Sequence, residues 1–214
     1  MPSLFLPTIR YIYFDFDNVL ATRTESRSAL VTRLLDLPDS KKLRDFYFVD
    51  FHRDPELEQR YLYLKTVEEE IAFYRDLFEL FAAREGVKVS DNQLMTAARS
   101  FVHVPLQVPD VTLEALQRLR TRYMLGILSN GVPSRHQEVV ASGLRPYFSG
   151  VIVSCDYHVE KPAREIYEIA IKAAGVPAAE IALVDDEPAN ISAAGAAGFG
   201  QAVLFTPAFW RQAL

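Results

Sequence analysis

Tyr11-Ile-Tyr-Phe-Asp-Phe-Asp-Asn-Val-Leu20 is an apolar run of good strand formers that stops abruptly at two acids, Asp15 and Asp17, one residue apart. The run predicts a buried strand over 11–16. Side chains at this spacing in a strand share a face, so both carboxylates are expected to look the same way from its end. Such a pair suits holding a hard cation and attacking an electrophile beside it. Asn18 follows, a residue that tolerates the left-handed backbone of a tight turn. Taken alone, an Asp-x-Asp pair is more often an ordinary solvated turn, so the rest of the chain has to choose.

Downstream of Pro109 the chain alternates between two periodicities. Residues 111–122 read as an amphipathic helix through Leu113, Leu116 and Leu119, and 123–128 as a strand ending at Ser129-Asn130-Gly131. A helix over 133–142 stops at Gly143, and a short strand covers 150–154. Lys161-Pro162 then opens a helix reaching Gly175, with Pro162 in its first turn, where a missing amide is no loss. Residues 180–184 form a strand running into Asp185-Asp186. Pro188 opens a helix closed by Gly198, and 201–205 form the last strand. Short apolar runs separated by helices predict an α/β fold, a Rossmann-like parallel sheet covered on both faces. Right-handed crossovers bring the ends of those strands to one edge.

Between the first strand and Pro109 the pattern is helical with almost no strand signal. Residues 26–37 carry Leu30, Leu34 and Leu37 at helical spacing, and 39–60 are polar and aromatic without a clean period. Thr66-Val-Glu-Glu69 reads as a capping box, with a helix after it that presents Ile71, Tyr74, Phe78 and Phe81 and ends near Gly86. Ser90 is placed to cap another helix that turns Leu94, Ala98 and Phe101 inward. This is an α-helical insertion.

The 214 residues suffice for one generous domain, or for a core and a smaller companion, and half of them are hydrophobic. A net charge of −5 argues against nucleic acid as a partner but permits a small anionic ligand, since a local field can oppose the net charge. One cysteine, Cys155, gives no intrachain disulfide and no sign of an oxidising compartment. The opening Met-Pro-Ser-Leu-Phe-Leu-Pro is too short and broken for a signal peptide, and no apolar run is long enough for a bilayer. A cytoplasmic protein that engages no membrane is expected. His52, His103, His136 and His158 show no metal-ligand spacing.

In an open α/β sheet, ligands bind beyond the carboxyl ends of the strands. That edge is expected to collect Asp15 and Asp17, Ser129 and Asn130, Lys161, and Asp185 and Asp186. With Asp15-Phe-Asp17-Asn-Val-Leu20, Ser129-Asn130-Gly131, Lys161-Pro162 and Val184-Asp-Asp-Glu-Pro-Ala-Asn190 in this order, the chain resembles the haloacid dehalogenase-like hydrolase superfamily, in the phosphatase branch with a helical cap after the first strand. The resemblance implies a catalytic core over 1–21 and 108–214 and a cap over 22–107, which closes over the site and selects the substrate.

It also implies roles. Asp15 is the nucleophile that forms an aspartyl-phosphate, and Asp17 the general acid and base. Ser129, Asn130, Gly131 and Lys161 bind the phosphoryl group. Mg²⁺ is held by Asp15, by the Asp17 carbonyl and by Asp186, with Asp185 acting through metal-bound water. Ala163-Arg164 stand where relatives often carry Asp-Pro, and Asn18 where many carry Gly. The expected function is a Mg²⁺-dependent phosphatase acting on a small phosphorylated metabolite, as a monomer or homodimer. A sugar phosphomutase of the same superfamily is the alternative. A 2-haloacid dehalogenase, which lacks the second acid, and a non-catalytic interaction domain fit the acids less well.

Overall fold

The computed structural model describes residues 4–214, apart from the Phe48 side chain. Met1, Pro2 and Ser3 of the stretch judged too short for a signal peptide lie outside the described residues. In chain order the strands are β1 (Tyr11–Phe14), β2 (Thr22–Arg23), β3 (Leu106–Gln107), β4 (Met124–Ser129), β5 (Gly150–Val153), β6 (Ile181–Asp185) and β7 (Gln201–Leu204). Short β2 and β3 pair with each other. The others form a five-stranded sheet in the order β5-β4-β1-β6-β7, parallel at each junction. The chain divides into two compact units. One runs up to Thr22 and includes Leu106–Gly131 and Arg135–Leu214; the other is Arg23–Pro105 with Val132–Ser134. Among the described residues no helix is long and apolar enough to cross a membrane.

The second unit is helical. It holds α1 (Arg27–Leu34), α2 (Ser40–Asp45), α3 (Pro55–Leu62), α4 (Val67–Arg84) and α5 (Asp91–Val102). The segment without a clean period at 39–60 is in fact α2, a π turn, a 3₁₀ turn and α3. Its helices are too short to show periodicity, but Asp39 and Asp54 cap both α-helical starts by accepting backbone amides. In α1 the buried residues are Val31 and Thr32, followed by Leu35 just past the end; of the expected stripe, Leu37 is buried and Leu34 packs against the core at its margin. The capping box at α4 is half formed: Thr66 accepts from the Glu69 amide, while the Glu69 carboxylate takes the amide of Lys65 and not that of Thr66. Ser90 and Gln93 form the complete box at α5. Phe73, Tyr74, Leu77, Phe78, Phe81 and Phe101 fill the core between α4 and α5. Buried Glu70 accepts from both the amide and the hydroxyl of Ser134, each at 2.9 Å.

In the first unit, α6 (Asp110–Leu119), α7 (from Ser134 to Ala141), α8 (Arg164–Ala174), α9 (Pro188–Ala196) and α10 (Phe209–Gln212) accompany the sheet. Strand alternation sorts the core into two layers. Ile12 and Phe14 pack with Leu116, Val139, Phe209 and Trp210 from α6, α7 and α10. Tyr11 and Tyr13 face the other way, against Ile166, Tyr167 and Ala194 from α8 and α9. A Cβ on Gly126 would stand 2.6 Å from the Tyr13 ring, so only glycine leaves room for both tyrosines. Pro162 lies ahead of α8, whose N-cap is Ala163, and not inside its first turn. The terminal helix α10 was not expected. It brings Trp210 to within 5.5 Å of Phe14, stacked, and its indole donates to the Val19 carbonyl.

Candidate active site

β1 ends at Phe14, two residues before the expected limit. The Asp15 amide still donates to the Val184 carbonyl at 2.9 Å, but the Phe16 carbonyl accepts from Leu20 and Ala21, folding the chain into a tight loop. Asn18 sits in it with φ 62°, the left-handed backbone anticipated for it. The two acids therefore stand in the loop beyond the strand, and each has its own cation.

Asp15 belongs to Lys161. The ammonium, with its side chain 1% exposed, donates to Asp15 Oδ1 at 2.8 Å and to Asp185 Oδ2 at 2.6 Å. Burial pushes the Asp15 carboxyl up to about 6, against the opposing pull of Lys161 and with a further push from Asp185. For Lys161, burial alone would lower the ammonium pKa, yet the two carboxylates raise it overall. The cation is thus locked on between an acid in the loop after β1 and one at the end of β6. Its backbone is held as firmly: the Asn130 amide donates to the Lys161 carbonyl and accepts from the Lys161 amide, both at 2.8 Å. The Asn130 side chain expected to face a phosphoryl oxygen instead fixes the lysine loop. The Gly131 amide donates to Ser154 Oγ at 2.9 Å, so it too is committed within the protein. Buried Ser129 turns its hydroxyl to the neighbouring Asn130 carbonyl at 3.2 Å.

The late acid pair divides. Asp185 is fully buried, and besides Lys161 it accepts from the Glu187 amide at 2.9 Å and Asn190 Nδ2 at 3.0 Å, an arrangement that closes the start of α9. Asp186 is exposed and accepts from Asn18 Nδ2 at 3.2 Å, which ties it to the first loop. Among the described residues, no three His, Cys, Asp or Glu side chains converge in a way that would hold a metal ion. A cage made wholly of protein side chains is therefore absent there. One or two carboxylates completed by water and substrate oxygens remain compatible with the acids present.

Asp17 belongs to Arg135. Arg135 Nη2 donates to Asp17 Oδ2, while Nη1 lies 2.9 Å from Glu138 Oε2 and the guanidinium stacks 4.3 Å from the centroid of Phe16. Burial opposes its charge, but Asp17 and Glu138 more than offset that, and its pKa is raised. Neither Arg135 nor Glu138 emerges from the sequence motifs. A signal was present nonetheless: a basic residue in the first turn of a helix opposes the dipole and calls for an acidic partner.

A protein-family model described as haloacid dehalogenase-like hydrolase matches residues 9–198. Pyrimidine 5'-nucleotidase YjjG of Escherichia coli is 25% identical over 204 residues, 94% of this chain and 88% of that protein. Phosphoserine phosphatase of Thermus thermophilus is 33% identical over 81 residues, 37% of this chain, and the match spans only 32% of that relative's length. Among solved structures, the L-2-haloacid dehalogenase RSc1362 superposes with a TM-score of 0.68 at 25% identity, covering 90% of this chain and 85% of the other.

Proposed function

The chain belongs to the haloacid dehalogenase-like hydrolase family, and on that premise we propose that it is a Mg²⁺-dependent phosphatase acting on a small phosphate monoester. The observation that carries this reading is the second acid. Asp17 stands two residues after Asp15, paired to a buried arginine, at a position where a dehalogenase has no proton to deliver to an alkoxide. The nucleotidase likeness along almost the whole chain supports the same class.

Asp15 attacks phosphorus, the bond from phosphorus to the ester oxygen breaks, and an aspartyl-phosphate forms. Asp17 gives a proton to the departing oxygen and then takes one from the water that cleaves the acyl phosphate. Lys161 balances the charge on Asp15 and on the phosphoryl oxygens, and the Ser129 hydroxyl, once turned from the Asn130 carbonyl, offers a further donor to them. The residues that would hold the ion are Asp15, Asp17 through its carbonyl, and Asp186. Asp185, with its oxygens given to Lys161 and to the start of α9, orients the lysine. Bound there, the ion supplies Lewis-acid stabilisation of the phosphoryl charge. Residues 1–21 and 108–214 are the catalytic core in this reading, and 22–107 the cap that selects the ester.

The test is phosphate release from p-nitrophenyl phosphate and a panel of phosphorylated metabolites, with Mg²⁺ and with EDTA. Wild type is expected to turn over only with the ion, and Asp15→Asn to lose at least about a thousandfold. Equal release by wild type and Asp15→Asn would refute the reading. Chloride release from a 2-chloroacid in place of phosphate release would transfer the chain to the dehalogenases.

A further inference from the structure

We infer that Arg135 is a positioning residue, which fixes the Asp17 carboxylate in place and acts on the reaction only through it. The inference rests on the phosphatase reading for its kinetic consequence, but its structural basis is independent of that reading.

Arg135 is 4% exposed, and a cation so deeply buried in the first turn of a helix is unfavourable on two counts. It is removed from water, and it opposes the positive end of the helix dipole. Three neighbours compensate. Asp17 accepts from Nη2, Glu138 Oε2 lies 2.9 Å from Nη1 as an ion pair without hydrogen-bond geometry, and the Phe16 ring lies under the guanidinium plane. Gly131 provides the space: a Cβ there would stand 3.1 Å from Arg135 Nε. Phe16, the residue between the two acids of the opening motif, and Gly131, the end of Ser-Asn-Gly, thus both have a role in seating this one side chain.

Nε and Nη1 are shielded from solvent and have no hydrogen-bond partner among the described residues, and Nη2 is bonded to Asp17, so the guanidinium presents no solvent-facing edge. On this inference Arg135 stands behind Asp17 and not against the substrate. Its one connection towards the reaction is the Asp17 carboxylate, which sits in a loop and is 37% exposed. Loop side chains are mobile by default, while a group that passes a proton must hold hydrogen-bond geometry to about half an ångström. The flat, forked guanidinium can grip Asp17 and Glu138 together while stacked on Phe16. An ammonium keeps the charge but not that geometry.

The experiment compares wild type, Arg135→Lys and Arg135→Met in p-nitrophenyl phosphate kinetics and urea melts, working where each variant is folded. For Arg135→Met, kcat is expected to fall about a hundredfold with KM within about threefold, and Arg135→Lys to recover about tenfold of that loss. A loss confined to KM, a kcat within about threefold of wild type, or equal losses in the Lys and Met variants would overturn the inference. A wild type that hydrolyses no phosphate ester would refute the phosphatase reading. Arg135 is then judged by the melts of Asp17→Asn, Arg135→Met and the double variant. Losses that fail to add support the grip on Asp17, and additive losses overturn it.

Discussion

At the carboxyl edge of the sheet, Lys161, Asp185 and Arg135 are charges taken out of water and Asp15 is nearly so, each tied to an opposite charge. The helical unit does the reverse. It buries rings, with Tyr74 4.5 Å and Phe78 5.3 Å from Phe101 between centroids, and keeps ion pairs such as Arg60–Asp76 and Lys42–Glu85 at its surface. Among its described residues Glu70 is the buried acid, and Ser134 satisfies it. Buried ion pairs are often no better for stability than apolar residues of the same size, whereas buried aromatic rings carry large apolar area and favourable edge contacts. On the proposed reading the edge serves chemistry at little gain in stability, while the helical unit serves packing.

Lys161→Met puts this contrast to its hardest test. It leaves Asp15 and Asp185 buried without their cation, so turnover is expected to fall at least about a hundredfold and unfolding free energy by about 3–5 kcal/mol. Adding Asp15→Asn and Asp185→Asn to the same chain removes the stranded charges. Stability should then return towards wild type while turnover stays lost, read by urea melts and phosphate release. If stability does not return, the edge holds the fold together by more than charge pairing and the contrast fails.

Phe101→Ala probes the other side. The ring is 3% exposed, contacts Tyr47, Tyr74 and Phe78, and carries Arg27 at 4.8 Å from its centroid. Its removal is expected to cost about 3–5 kcal/mol while turnover per folded molecule changes less than about fivefold. A loss under about 1 kcal/mol in chemical melts would mean that the helical unit's rings are not its main support.

How much of this was legible depends on range. The strand ends were readable, because apolar runs halting at Asp15, Ser129 and Asp185 are local signals, and right-handed crossovers bring such ends together. Fold class follows from the same runs. The partners were not readable. Whether Asn130 turns to a ligand or to the Lys161 backbone is settled by contacts 31 residues apart in sequence, and Arg135 meets Asp17 across 118. The Leu30, Leu34 and Leu37 stripe is only partly right: Leu37 is buried and Leu34 packs against the core, but α1 is too short for its period to single out Val31 and Leu35 as the deepest positions. Residues 39–60 give no clear reading for the same reason: the helices that Asp39 and Asp54 cap are too short to show a period.

The finest test of the contrast is the pH dependence of stability at Asp15. Its carboxyl is raised to about 6 in the folded protein, chiefly by burial. An unfolded aspartate titrates near ~3.9. Between those values the folded chain holds a proton that the unfolded chain has released, so stability must fall as pH rises through the interval. Below it, both forms are protonated and nothing is lost; above it, the loss is complete. Measured in EDTA, to keep any cation from reversing the effect, the unfolding free energy of wild type minus that of Asp15→Asn should drop by about 1–3 kcal/mol from pH 4 to 7. A paired acid in the helical unit, such as Asp76, behaves oppositely. Arg60 and Arg75 outweigh a partial burial and hold its carboxyl below the usual range, so its contribution is kept above the unfolded value and lost only as pH falls. A flat difference curve for Asp15 would mean that its charge is as well accommodated folded as unfolded, and the sheet edge would then lose its claim to hold a nucleophile at the expense of stability.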